Sequence, residues 1–248
     1  MKKLALFLTF TISIFAQTSL EVAKKSYNNI SGYKSSISKT TMILQNAKGI
    51  KNIRKLELRK LELTNGDKSL LTFLYPNDLK DTKLLSYEKI GSDDKQWLYL
   101  PAIKRTKRIS SRNKSGSFMA SEFSYEDISS QNYMNYTYSG EAKIITKDGI
   151  KYFEITRVPK DKHSGYSKQI IWIDSKNYLA EFGEYYDKQN RLLKKIFFLD
   201  YVKMGDIYRV HKIVVKNVQN KKQSTLIWED DKIDAKLTKR DFSKRVLK

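Results

Sequence analysis

The chain has 248 residues and no cysteine. That excludes disulfides, a thiol nucleophile and iron–sulfur ligation, so stability must come from packing and strand pairing. Histidine is nearly missing too, with His163 and His211 the two present. Without thiolates, two imidazoles make zinc and copper centres a poor fit. Proline (3) and glycine (10) are scarce, which rules out collagen-like and proline-rich linker sequences. The charge-free run Leu4 to Phe15 falls well short of the about 20 apolar residues that span a bilayer.

That run does fit an export leader. Lys2 and Lys3 supply the positive start, and Ala16 is a small residue where cleavage is expected, with the bulkier Ile14 at the −3 position. The expected product is one periplasmic domain spanning 17–248. With no cysteine after the leader, the chain cannot itself be a lipid-anchored lipoprotein. A 40% hydrophobic content supports one sizeable core, and 16 tyrosines are foreign to disordered chains.

The formal net charge is +21, or +19 once Lys2 and Lys3 leave with the leader. Such a surface suits anionic partners. Lysines are spread along the whole chain, which reads as compositional bias. The arginines are not: Arg105, Arg108 and Arg112 put three of ten within eight residues.

Local signals favour strands. Thr18 and Glu21 fit a capping box that opens a short helix ending near 28–32. A strand is expected over Ser35 to Leu44. Two extended runs flank Asn65-Gly66-Asp67, although Leu56, Leu58, Leu61 and Leu63 break strict alternation and leave a helix through 51–63 open. A second hairpin turns at Asp148-Gly149. The runs KQIIWID, YLAEFGEYYD, RLLKKIFFLDYV, IYRVHKIVVKNV and QSTLIWEDD follow, separated by turn residues. Neighbouring strands joined by short turns make an antiparallel meander, and ten or eleven strands with few helices make a strongly curved sheet or open barrel.

Residues 96–127, QWLYLPAIKRTKRISSRNKSGSFMASEFSYED, combine unlike demands. Trp97 and Tyr99 share one face of a strand and Leu98 and Leu100 the other, before Pro101 ends it. From Ile103 to Ile109 cations fall on both faces, so at least one face is wet or meets anions. After Ser115-Gly116-Ser117 come Phe118, Met119, Phe123 and Tyr125 among Glu122, Glu126 and Asp127. Ordinary core aromatics beside a solvated cationic rim, paired with those acids, account for each residue singly. A cationic, hinged, aromatic flap over a hollow accounts for the combination.

The run WLYLPAIKRTKRISS…SGSFMASEFSYED closely resembles the outer membrane lipoprotein-sorting proteins of the LolA/LolB-like superfamily. KSLLTFLYP, KYFEITRVP and the FSKRVLK ending extend the likeness over most of the chain. The chain departs from it at Asp81, in LKDTKLL (79–85), where glycine is usual. The resemblance implies a mostly β (α+β) fold, a half-open antiparallel barrel covered by a few helices, with a hydrophobic cavity for acyl chains. It also implies a Gram-negative periplasm, no metal or cofactor, and no chemistry.

The functional expectation is a carrier that shelters the acyl chains of lipoproteins or other lipids on the way to the outer membrane. Trp97, Tyr99, Phe118, Met119, Phe123 and Tyr125 would line its cavity or lid, and Arg105, Arg108 and Arg112 would meet an anionic headgroup or partner. The alternative is a non-enzymatic accessory subunit docked on an envelope exporter. Partners would be an inner-membrane transporter or an outer-membrane acceptor, with the chain itself monomeric. Interleaved cations and rings also suit single-stranded nucleic acid, which an export leader argues against. Asp161, His163 and Ser164 could suggest a hydrolase, but the spacing is generic and a turn with a solvated histidine is commoner. Glu229, Asp230 and Asp231 lack the glycine and spacing of a calcium loop and read as a turn.

Overall fold

The computed structural model describes residues 17–129 and 131–248; the expected leader, 1–16, lies outside the described residues. Thr18 caps helix α1 (Ser19–Asn28): its side chain accepts from the Glu21 amide while Glu21 reaches back to the Thr18 amide, so the expected capping box forms. Fourteen strands follow, where ten or eleven were expected. They are β1 (Ser35–Gln45), β2 (Lys51–Leu61), β3 (Lys68–Tyr75), β4 (Lys83–Tyr87), β5 (Lys95–Leu100), β6 (Arg105–Ile109), β7 (Tyr136–Tyr138), β8 (Lys143–Lys147), β9 (Ile150–Pro159), β10 (Lys168–Asp174), β11 (Ala180–Tyr186), β12 (Leu192–Met204), β13 (Ile207–Asn217) and β14 (Gln223–Ile233). Short strands such as β4 and β7 are the ones whose pattern is too brief to read.

All pairings are antiparallel. The sheet runs β6-β5-β4-β3-β2-β1-β14-β13-β12-β11-β10-β9-β7, with β8 also on β9. Pairing of β1 with β14 joins the two halves of the chain. The helix left open for 51–63 is a strand, paired along its length with β1. Asp148 (φ 51) and Gly149 (φ 77) make the expected tight hairpin. Asp81 takes φ 62, the left-handed region in which glycine is the natural occupant. Gly66 is required where it stands: φ is +111, and a Cβ would lie 2.4 Å from the Glu88 carbonyl oxygen. The acidic run 229–231 is not a turn. It lies inside β14 at a bulge, where the register with β1 shifts between Ile37 and Lys39 and Asp230 adopts φ 47.

Thirteen strands about 4.8 Å apart would span roughly 60 Å if flat. Yet one core cluster takes Leu98 from β5, Leu56 from β2, Leu226 from β14, Ile196 from β12 and Ile155 from β9. The sheet must therefore curl, and its ends are not hydrogen-bonded to each other: a half-open barrel. Val22 and Ala23 of α1 cover part of the inner face.

The outer face carries a second, smaller cluster. Leu70, Leu85 and Trp97 stand in register across β3, β4 and β5. Phe242 and Leu247, from two 3₁₀ turns at the C-terminus, seal them. The Lys83 ammonium donates to the Val246 carbonyl at 2.7 Å, and the Lys244 ammonium sits 4.5 Å over the Trp97 ring. Phe242 is fully buried, so Phe242→Ala is expected to cost roughly 3–5 kcal/mol in denaturant unfolding. A loss below 1 kcal/mol, on the order of a surface change, would show that the C-terminal turns are not a cover.

Candidate functional site: a finger in the hollow

Between β6 and β7 the chain leaves the sheet. Residues 110–129 cross the inner face as a finger whose two legs bond to each other. The Phe118 amide donates to the Phe123 carbonyl at 2.7 Å, the Tyr125 amide to Gly116 at 3.1 Å and the Glu126 amide to Lys114 at 2.9 Å. Helix α2 (Tyr125–Ile128) closes the second leg, capped by Ser124 with Asp127 at N3. At the tip Met119 and Ala120 take φ 49 and 60, a conformation that side chains disfavour by roughly 1–2 kcal/mol per residue.

The finger fills the hollow with its own rings. Phe118 is 0% exposed and Phe123 is 3%. Phe118 lies 5.9 Å from the Phe73 ring and edge-on to Tyr125 at 5.5 Å. Met119 and Tyr125 pack on the same cluster. Four of the six residues expected at a cavity or lid are thus brought together. Trp97 and Tyr99 are not among them: strand alternation turns both to the outer face, with Leu98 and Leu100 inside. The parity of the strand was legible, but which parity faces inward depended on the C-terminal cover.

Both halves of the sheet hold the finger. Arg54 on β2 donates to the Met119 carbonyl, and Gln96 on β5 to the Tyr125 carbonyl at 3.0 Å. From the far half, the Lys194 ammonium reaches the Asp127 carboxylate at 2.5 Å and the Glu122 carbonyl at 3.1 Å. That ion pair is buried on both sides. Tyr166 donates to the other Asp127 oxygen at 2.8 Å, and Asn217 to Glu122 at 2.7 Å. The acids of the finger are therefore spent on the sheet, not on Arg105, Arg108 and Arg112. Those three are exposed, and their side chains form no ion pair or hydrogen bond among the described residues.

A polar seam bridges the two edges of the open barrel. Ser164 and the Gly165 amide donate to the Glu126 carboxylate at 2.7 and 2.8 Å. The Asn135 amide donates to Glu88 at 2.9 Å, and Lys114 pairs with Asp161. Beneath lies a cavity of about 240 Å³ reached by Asp94, Glu126 and Gln169. Burial pushes the Glu126 carboxyl above the ordinary carboxylate range, with Asp127 pushing the same way; burial also raises Glu88 and Asp94. Burial is the largest single influence on Asp161 and pushes it up too, but the hydrogen bonds from Lys114 and the His163 amide and the Lys114 charge together outweigh it, and the net shift is downward. Ser164 is buried and occupied by Glu126. His163 is half-buried rather than solvated, its Nδ1 3.5 Å from Asp161 and 3.7 Å from Asp93. Asp161, His163 and Ser164, expected as a turn with a solvated histidine, are instead engaged in seam contacts. Ligand atoms of Asp93, Asp161 and His163 lie within 4.8 Å of one another, but Lys114 already holds Asp161. Sequence spacing gave no hint of Lys194, Gln96 or Gly165, which act from far along the chain.

Known proteins define the class. The fold superposes on a LolA superfamily protein from Nitrosomonas europaea with a TM-score of 0.76, at 17% identity over 93% of this chain and 99% of that one. A DUF1329 family protein from Desulfovibrio piger gives 0.87 at 28% identity, over 93% and 98%. A domain assigned to outer membrane lipoprotein sorting, from Vibrio parahaemolyticus, gives 0.88 at 40% identity, over 92% and 97%. A family model described as an uncharacterized protein matches residues 65–248. The curated proteins include no match. The class is therefore the LolA-like half-open barrel, and the chain belongs to the outer membrane lipoprotein-sorting family.

One substitution tests the seating of the finger without touching its rings. A Cβ on Gly165 would lie 2.6 Å from the Ser115 Cβ, at the root of the finger. Gly165→Ala should therefore push the finger outward, raising hydrophobic-dye binding and proteolysis within 111–124 at unchanged secondary structure. An unaltered digestion pattern would show that the root can absorb the methyl.

The raised Glu126 pKa carries a sign. Its favourable contribution to closure is fully present below the unfolded carboxylate pKa and is lost as pH rises through the elevated folded value. Dye binding to the wild type should therefore rise from mildly acidic to neutral pH. Glu126→Gln removes the titrating group while keeping its size and one acceptor oxygen, and should flatten that rise. Equal pH profiles for the two proteins would remove Glu126 as its origin.

Proposed function

We propose that the protein is a periplasmic, non-enzymatic carrier, a single lipid-binding domain over 17–248 that shelters acyl chains of lipoproteins or other lipids in the hollow of the half-open barrel. The observation that supports this reading is that the hollow is filled not by the sheet's own strands but by an irregular finger. Phe118 and Phe123 sit on a finger whose backbone bonds are largely its own, so it can swing out as a unit and leave an apolar space lined by Phe73, Leu84, Leu98 and Ile155. Family membership points the same way.

The energetics allow exchange. Removing one partner of a buried ion pair such as Lys194–Asp127 costs roughly 3–5 kcal/mol, which serves as an upper guide to the cost of parting them. Each buried methylene returns about 0.8 kcal/mol, so roughly six offset the clamp and a full acyl chain exceeds it. No catalytic step is needed for uptake, and release follows when the finger returns. A second reading, docking on an envelope exporter, is favoured by β6: it is an edge strand with exposed cations on both faces.

Mass spectrometry of hydrophobic extracts from natively purified protein should find acyl-bearing molecules in stoichiometric amount. Lys194→Met should load more of them, or exchange a fluorescent fatty acid faster, because the clamp is gone. Extracts free of lipid, with no fatty-acid binding even in Lys194→Met, would leave the docking reading alone.

A further inference from the structure

Beside the root of the finger lies an open cleft of about 520 Å³ that the fold itself does not use. Arg108 reaches it from β6, opposite Trp97 in the β5 register. Ser111 and Arg112 come from the 3₁₀ turn Ser111–Asn113 that starts the finger. Lys162 and His163 come from the loop after β9, across the seam. Elements distant in sequence thus deliver two guanidiniums and an ammonium to one concavity.

None of these cations is neutralised among the described residues. Arg108, Arg112 and Lys162 form no ion pair there. Nearby carboxylates are already engaged: Asp161 by Lys114, Glu126 by Ser164 and Gly165, Asp127 by Lys194. Asp93 is the acid that lines the cleft, and its carboxylate faces His163 at 3.7 Å. Three positive groups against one negative leave a cleft of net positive charge. Like charges gathered in a concavity repel and focus the field on an incoming anion. Guanidinium forks match the oxygens of a phosphate, and the Ser111 hydroxyl adds a neutral donor.

We propose that this cleft is an anion site that takes a phosphate-type group. On the carrier reading, that group is the headgroup of a phospholipid. The cleft lies where the finger leaves β6, so a headgroup held there would leave its acyl chains at the edge of the hollow. Headgroup capture would then act on the same leg that must move. The anion site does not depend on this: free phosphate presents the same oxygens.

Inorganic phosphate titrated calorimetrically, and vesicles of phosphatidylcholine with or without phosphatidylglycerol, test the two sources at low salt. The double variant Arg108→Ala/Arg112→Ala should weaken phosphate binding or phosphatidylglycerol preference by about tenfold, since a charge-assisted bond contributes roughly that much and exposure trims the second. Loss confined to phosphate assigns the site to the free anion; loss confined to vesicles assigns it to the headgroup; both support the proposal. A control, Lys232→Ala/Lys236→Ala, removes the same charge elsewhere on the exposed surface. Equal loss in the control, no loss in the arginine variant, or no anion binding by the wild type would overturn the site. Fluorescent fatty-acid binding, measured in parallel, reports on the carrier reading alone.

Discussion

A sheet of fourteen strands that curls but does not close must still keep water from its inner face. Everything else in this structure answers to that requirement. The edges, β6 and β7, are not paired to each other, so hydrogen bonding cannot complete the barrel. One end of the hollow is covered by α1, which contributes Val22 and Ala23. The rest falls to a segment with almost no regular structure. An irregular segment in a hollow needs partners for its backbone groups. The finger meets most of that need internally, leg to leg, and the remainder through Arg54, Gln96, Ser224 and Lys194.

How much of this was legible depends on how local each cause is. The capping box at Thr18 and the hairpin at Asp148-Gly149 are decided within four residues, and both stood in the sequence. So did the alternation of Trp97 and Tyr99 with Leu98 and Leu100. What alternation cannot state is which side is the inside. Here two hydrophobic faces exist, because Phe242 and Leu247 return from the far end of the chain to cover the outer one. The acidic run 229–231 misleads for a related reason. A bulge admits Asp230 to the middle of a strand, while Asp231 turns inward to meet Arg209 at 2.8 Å, a partner on β13. Nothing within ten residues announces that pairing.

The polar groups under the finger show the same dependence on distance along the chain. Arg157 on β9 donates to Gln169 on β10, to Gln131 and to the Tyr185 hydroxyl, and lies 4.0 Å from the centre of the Tyr136 ring. Lys194, Tyr166 and Asp127 form a second knot, 67 residues separating the two ionic partners. Buried groups of this kind are costly when incompletely satisfied. A purely apolar filling would seal the hollow more cheaply but would not favour one position of the finger over another. The polar knots specify a seated geometry.

The finger therefore has two chemistries because it does two jobs at neighbouring places. Its rings need the dry interior and its first leg needs the wet rim, where Arg108 and Arg112 stay exposed and form no ion pair among the described residues. Every carboxylate on the finger is drawn inward or sideways by the sheet: Glu122 to Asn217, Glu126 to the seam, Asp127 to Lys194. Had the acids been left at the rim, the arginines would be neutralised and the finger's grip on the sheet would be gone. Segregating charge in this way leaves exposed cations at the rim beside an apolar interior that the finger's own rings complete.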